Sequence, residues 1–302
     1  MTKPDLERLS TEAQNPRTAE LDAMSTAAML QAMNDEDQLV PQAVRRALPA
    51  IARAVDGIVA RMRRGGRLIY CGAGTSGRLG VLDAAECEPT FSAAPGQVTG
   101  LIAGGPQAFL RAVEGAEDDP DRGARDLAEV LLVPEDAVVG LAASGRTPYV
   151  IGALEHARAI GAFTAAIVCN AGSAVAAAAE APIEVVVGPE ILTGSTRLKA
   201  GTAQKLVLNM LSTAAFVQLG KVYGNLMVDL QATNAKLVDR AERIVAAAAA
   251  VDRAAARAAL QRCGGEARTA IVALRRAVDA AAARELLARH RGSVRRALES
   301  PA

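Results

Sequence analysis

Five short apolar runs, at residues 67–71, 98–103, 137–142, 164–169 and 183–187, alternate with stretches long enough to hold a helix. Apart from Arg67, Thr99, Thr164 and Glu184, the runs carry apolar residues or glycine at consecutive positions rather than apolar residues at every second one, the pattern of a strand covered on both faces. Strands alternating with helices build a parallel sheet, so the expected fold is α/β, a three-layer αβα sandwich. Upstream, the first 20 or so residues are polar and aperiodic and read as an extended arm. Ser25 is placed to cap a short helix ending in the acidic turn at 34–37. Pro41 suits the first position of a second helix through about Met62, with Val44, Leu48, Ile51, Val55, Ile58 and Val59 at helical spacing. A long helix is expected at about 198–219 and another at about 237–251. Ala-Arg-rich helices at about 253–263, 266–278 and 280–290 follow, divided by Gly264-Gly265 and Asp279. The expected division is an arm and short helix over 1–40, an α/β domain over 41–240 and a small helical domain over 241–302.

Charge and composition narrow the function classes. Lys plus Arg number 34 against 33 Asp plus Glu, a net charge of +1, and aromatic residues are 2% of the chain. Such a chain lacks both the electrostatic pull toward a phosphate backbone and the rings on which bases stack, which argues against nucleic-acid binding. The longest unbroken apolar run, 244–251, falls far short of the about 20 residues of a membrane-spanning helix. The N-terminal residues are charged and carry no apolar signal core. A cytoplasmic protein without a membrane contact is therefore expected. Cys71, Cys87, Cys169 and Cys263 are widely spaced, as reduced thiols are, and the two histidines, His156 and His290, lie far from them. Metal or Ser-His-Asp chemistry would have little to draw on, so carboxylates, hydroxyls and backbone amides are expected to act on a small metabolite without metal or cofactor.

Two segments carry the chemistry. Gly72, Gly74 and Gly77 spell G-x-G-x-x-G directly after the first predicted strand and at the start of a helix. A dinucleotide site also needs an acidic residue about 20 positions on, at the end of the second strand; that strand ends in Ala103-Gly104-Gly105. Thr75 and Ser76 point instead to a phosphomonoester held by amides and hydroxyls at the helix N-terminus. A tight turn with capping hydroxyls is the alternative. The third strand ends in a similar turn, Ser144-Gly145-Arg146-Thr147-Pro148. Ligands of open α/β sheets bind beyond the carboxyl ends of the strands, so both turns can close on one phosphate, with Ser76, Ser144 and Thr147 as donors and Arg146 as added charge. At 193–199, hydroxyls again precede a helix, and Ser195 and Thr196 read as its caps.

The pairing of GTS with SGRT resembles the sugar isomerase (SIS) phosphosugar-binding domain. The longer strings IYCGAGTSGRLGVLDAAECEPTF, AVEGAEDD, GLAASGRTPYV, VGPEILTGSTRLKAGTAQKLVLNMLSTA and GKVYGNLMVDLQATN resemble the N-acetylmuramic acid 6-phosphate etherase family, from the TEAQNPRT arm to about residue 240. The helical tail is similar to that family's ubiquitin-associated-like domain. Glu88 departs from the family, which usually has a second Pro there.

This resemblance implies a homodimeric lyase that removes the D-lactyl ether from carbon 3 of the phosphosugar, with N-acetylglucosamine 6-phosphate and D-lactate as products, in cell-wall sugar recycling. Ring opening exposes an aldehyde that acidifies the carbon 2 hydrogen; elimination then expels lactate, and water adds. Such a route needs a base at carbon 2 and an acid for the leaving oxygen, roles carboxylates can alternate between. By resemblance Glu86 is the proton donor to lactate and later the base for water, and Glu117 acts at carbon 2. Gly74, Thr75, Ser76, Ser144, Gly145, Arg146 and Thr147 are the expected substrate contacts, with Ser195 and Lys199 as further candidates. An aldose-ketose isomerase or a non-catalytic phosphosugar regulator on the same fold are the competing functions.

Overall fold

A computed structural model of the chain describes residues 9–229 and 235–300. The first eight residues of the arm, and 230–234 within the last family-like string, lie outside them. Five strands form one parallel sheet: β1 (Leu68–Gly72), β2 (Val98–Ile102), β3 (Ala137–Ala142), β4 (Phe163–Val168) and β5 (Ala181–Glu184), in the order β2-β1-β3-β4-β5. Leu68 stands opposite both Val98 and Ala137, and Ala137 opposite Phe163. Every residue of β1, β3 and β4 is buried, as consecutive apolar positions require, while the edge strand β2 is half-buried. β5 starts and ends earlier than its apolar run: Val185 still donates to the Val168 carbonyl at 2.8 Å, but the chain then turns away toward Gly188 (φ 74°).

The chain divides into two compact units, Met1–Ala85 with Gly96–Ser212, and Glu86–Pro95 with Thr213–Ala302. In the first, α1 (Thr26–Asp37) is capped by Ser25, whose Oγ accepts from the Ala28 amide at 3.3 Å. α2 (Leu39–Met62) buries Val44, Ile51, Val55, Ile58 and Val59 of its periodic stripe but leaves Leu48 exposed, and sets Gly57 against the Phe163 ring. α3 (Gly74–Phe91) lays Gly80 against Tyr70 and Leu141, on the same side of the sheet where Tyr70 donates its hydroxyl to Asp83 at 2.8 Å. On the opposite face Ile69, Cys71, Val138 and Val168 pack with α4 (Pro120–Glu129), α5 (Pro148–Ile160) and α6 (Ala174–Ala178). Alternate residues of one strand thus serve opposite layers, which makes the sandwich three-layered. α4 and α5 meet closely: a Cβ on Gly123 would fall 2.0 Å from the Tyr149 carbonyl oxygen.

The starts of β1 and β3 are fixed by Asp136, fully buried. Its carboxylate accepts from the Arg67 backbone amide (2.8 Å), the Arg67 guanidinium (2.6 Å) and the Val133 amide (3.1 Å). Burial pushes this carboxyl upward, but the Arg67 and Val133 hydrogen bonds and the Arg67 charge outweigh it and hold the group below its usual range. The arm is not extended throughout. Asn15 accepts from the Arg17 amide at 3.0 Å, and Pro16 opens a short 3-10 turn at Pro16–Thr18, with another at Leu21–Ala23.

The second unit holds the last part of α3, the end of α7 (Lys199–Gln218), and α8 (Ala235–Ala249), α9 (Arg253–Arg262), α10 (Ala267–Arg276), α11 (Ala280–Arg289) and α12 (Val294–Glu299). Phe91 stacks on Phe216 at 4.7 Å, and Val245, Ala256, Ile271, Val272 and Val294 share one core. Asp252, Asp279 and Ser293 cap α9, α11 and α12 through their side chains. α12 follows Gly292 (φ 78°) and was not apparent from the sequence pattern, being less than two turns long.

Candidate phosphosugar site

β1 sits between β2 and β3: the chain leaves β1 through α3 toward one side of the sheet and returns on the other. The order therefore reverses between β1 and β3, and the crevice beyond their carboxyl ends is where open α/β sheets bind ligands. Both glycine-hydroxyl turns lie there. At the first, a Cβ on Gly77 would fall 2.6 Å from the Gly72 carbonyl oxygen, so only glycine allows the first turn of α3 to rest on the end of β1. Gly74 (φ 53°) faces open space, with nothing within 4 Å of where a Cβ would stand. At the second, Gly145 (φ 72°) passes Ser173 so closely that a Cβ would meet its Oγ at 2.3 Å. Ser144 Oγ accepts from the Arg146 amide at 3.3 Å, and Thr147 precedes α5 without spending its hydroxyl on a cap.

The arm braces this second turn. Asn170 Nδ2 donates to the Ala143 and Ser144 carbonyls, each at 3.3 Å, and to Thr11 Oγ1 at 3.0 Å, while its Oδ1 accepts from Ser10 N and Ser10 Oγ, each at 2.8 Å. Thr18 Oγ1 donates to the Ile191 carbonyl at 2.9 Å. One amide side chain therefore joins the arm, the end of β4 and the carbonyls of the Ser144 turn.

Ser76 is buried, and its Oγ donates to Gln204 Oε1 on α7 at 2.9 Å. Gln204 Nε2 and Arg146 Nη1 are the two buried side-chain polar atoms, among the described residues, that have no hydrogen-bond partner. Leaving a buried donor unsatisfied costs about 1–3 kcal/mol; one of these donors lies in the turn after β3, and the other is on the amide that holds Ser76 in the turn after β1.

Ser195 is half-buried in the loop before α7, but neither it nor Thr196 caps that helix. Glu190, fully buried, does so: its carboxylate accepts from the Lys199 and Ala200 amides, each at 2.9 Å. A carboxylate nine residues upstream outcompetes the local hydroxyls because it reaches two amides at once and meets the positive end of the helix. Burial pushes Glu190 above its usual range, against the pull of those two amides and of the Lys199 charge. Lys199, 1% exposed, puts its ammonium on Glu36 Oε2 at 2.5 Å; Arg17 reaches the other oxygen at 3.0 Å. Burial alone would raise the Glu36 carboxyl, yet the hydrogen bonds from Lys199 and Asn15 and the charges of Lys199 and Arg17 hold it low.

Glu86 is exposed on α3 and Glu117 is exposed on a 3-10 turn, Ala116–Asp118, entered through Gly115 (φ 73°). Of the acidic residues beside Glu117, Asp119 is committed elsewhere, capping the Arg122 amide at 3.0 Å and pairing with Arg125 at 2.9 Å. Cys71 and Cys169 are buried, and burial pushes each thiol up to about 12, which leaves them un-ionised at neutral pH. Among the described residues no group of three or more His, Cys, Asp or Glu is arranged around a metal site, and no helix is long and apolar enough to cross a membrane. The residues that the sequence did not single out, Gln204, Glu190 and Asn170, are polar side chains with partners 9 to 160 residues away.

The chain matches the glucokinase regulatory protein N-terminal SIS domain over residues 50–158 and the SIS domain over 124–214. Among solved structures, it is similar to a phosphoheptose isomerase from Francisella tularensis, at 18% identity and a TM-score of 0.48, covering 64% of this chain and 98% of that one. It is 63% identical, over 87% of its own length and 89% of theirs, to the N-acetylmuramic acid 6-phosphate etherases of Yersinia pestis (strain Pestoides F) and Yersinia pseudotuberculosis serotype O:1b (strain IP 31758). With that identity over most of both chains, and with phosphosugar-type turns at the switch point of its sheet, this chain belongs to the N-acetylmuramic acid 6-phosphate etherase family.

Proposed function

We propose that the chain is a carbon–oxygen lyase that cleaves the D-lactyl ether of N-acetylmuramic acid 6-phosphate to N-acetylglucosamine 6-phosphate and D-lactate. The observation that carries the site is the pair of glycine-hydroxyl turns at the β1/β3 switch point, with buried donors from Arg146 and Gln204 beside them. The α3 N-terminus and the Ser144–Thr147 turn hold the phosphate, which fixes the sugar relative to the acid and base. Glu117 removes the carbon 2 proton of the open-chain aldehyde, and the electron pair moves to expel the carbon 3 oxygen. Glu86 gives that oxygen its proton and is left as a carboxylate, which then takes a proton from the water adding at carbon 3, while Glu117 returns its proton to carbon 2. Protons balance over the cycle, and no external oxidant or reductant is required.

The working form is a homodimer in this proposal. The resemblance to the etherase family implies that two copies pair and complete the substrate site near their interface. Glu86 from the second copy would then serve each site. Four free, buried cysteines suit a reducing cytoplasm. Incubation of the Glu86→Gln variant with N-acetylmuramic acid 6-phosphate should release no D-lactate while the phosphosugar still binds; full turnover would overturn the assignment. Intact binding by the unaltered protein without lactate release would point to a regulator instead.

A further inference from the structure

We propose that the side-chain amide of Gln204 is a phosphate ligand, donating through Nε2 to a phosphoryl oxygen while its Oε1 holds Ser76 in place. This rests on the phosphosugar reading above and adds a binding residue to it.

Gln204 is 1% exposed, in a helix otherwise rich in Leu, Val and Ala, so its polar end needs partners inside the protein or its ligand. One half of the amide is satisfied by the Ser76 hydroxyl at 2.9 Å, and the other half, Nε2, has no acceptor. The helix lies against the turn after β1: a Cβ on Gly201, one turn before Gln204, would stand 3.6 Å from Thr75 Cγ2. The amide is therefore beside the α3 N-terminus. The other unsatisfied buried donor, Arg146 Nη1, comes from the turn after β3, the strand adjacent to β1.

The chemistry of the missing acceptor follows from the donors. A sugar hydroxyl could take one of these N–H groups but would bring a hydrogen that needs an acceptor of its own. A phosphoryl group brings lone pairs on several oxygens and negative charge, and satisfies a guanidinium and an amide together. Turning the Gln204 amide over would aim its carbonyl at the same anion, so the Arg146 donor and the positive end of α3 select the orientation with Nε2 outward. Ser76 gives its hydrogen to Gln204 in this arrangement. Its hydroxyl positions the amide, and the donors to phosphate on this side are Gln204, Thr75 and the backbone.

Gln204→Glu separates this role from a merely structural one. The carboxylate keeps the shape and still accepts from Ser76, but it replaces the outward N–H with a negative oxygen. Hydrogen bonds to charged groups and their loss set the scale: KM for N-acetylmuramic acid 6-phosphate should rise by about 10- to 150-fold, with a smaller change in kcat. The KM ratio of variant to unaltered enzyme should fall again toward acid pH, as the new carboxyl gains a proton and can donate. A KM within twofold of the unaltered enzyme across the pH range would overturn the proposal and leave Gln204 as a support for Ser76. The unaltered enzyme should also be stabilised by inorganic phosphate; absence of both that stabilisation and lactate release would defeat the phosphosugar reading itself. Should the Glu variant not fold, a crystal structure of the unaltered enzyme soaked in inorganic phosphate decides: Nε2 within about 3.2 Å of a phosphate oxygen supports the proposal, and a gap beyond about 4 Å overturns it.

Discussion

Replacing Lys199 by Met would leave the Glu36 carboxylate, 4% exposed, with Asn15 and a guanidinium from the largely exposed Arg17 as its remaining partners. Removing one member of a buried ion pair costs about 3–5 kcal/mol, because the other charge stays behind in a poor solvent. For a folded unit of this size each kcal/mol lowers Tm by about 2–4 °C, so a loss of about 6–20 °C is expected. Adding Glu36→Met should restore most of it, since buried pairs exchanged for apolar side chains of similar volume are often neutral. Thermal melts of the four proteins in the cycle, followed by circular dichroism, measure the coupling directly. The pH dependence has a definite sign. Glu36 is held below its ordinary 4.5 in the native protein, so its contribution is present above that value and lost as pH falls through the lower folded value. In Lys199→Met burial acts with less opposition, the carboxyl gains its proton sooner, and the deficit against the native protein should shrink in acid. A single variant melting within 2 °C of the native protein, or a double variant melting as low as the single, would show that the Lys199–Glu36 pair does not carry this stability. Kinetics add a separate decision: if Lys199 anchors α1 to α7 and nothing more, KM recovers with Tm in the double variant, whereas a direct substrate contact leaves KM raised.

If each site takes Glu86 from the second copy, inactive Glu86→Gln and inactive Ser144→Asp chains refolded together should regain activity. Random pairing predicts about a quarter of the native rate, and no recovery above the separate variants would place the whole site in one chain. Asp136→Asn keeps the volume but loses the charge that gathers Arg67 and Val133, and should cost about 3–5 kcal/mol in denaturant melts. Because this carboxyl is held below its ordinary 3.8, the native protein loses that stability as pH falls through the folded value, and the Asn variant should lack this part of the acid transition.

The layers of the sheet were legible because burial on both faces leaves a strand no polar position, as in Val138-Val139-Gly140-Leu141, and the two turns were legible because their glycines and hydroxyls adjoin those strands. Local chemistry also placed the Ser25 cap correctly. What could not be read were partnerships between residues distant along the chain. Ser195 and Thr196 looked like caps for α7, but nothing near 199 announces that Glu190 folds back to reach its amides. Lys199 stood out as a candidate substrate contact, but nothing near it in the sequence announces that Glu36, 163 positions away, lies against it. Gln204 carries no motif at all; its meaning lies in one unsatisfied atom, which exists only once α7 is laid against the turn after β1.

The Asn170 junction sets a schedule for biosynthesis. Ser10 and Thr11 leave the ribosome early, but the side chain that receives them is about 160 residues further on, so the arm must wait as bare chain until β4 has been made and placed. Closing so long a loop carries an entropic cost that increases slowly with its length. The carbonyls of the Ser144 turn gain their brace in the same event. Fusions or truncations near residue 10 would therefore act on the maturation of the Ser144 turn, which lies more than a hundred residues downstream.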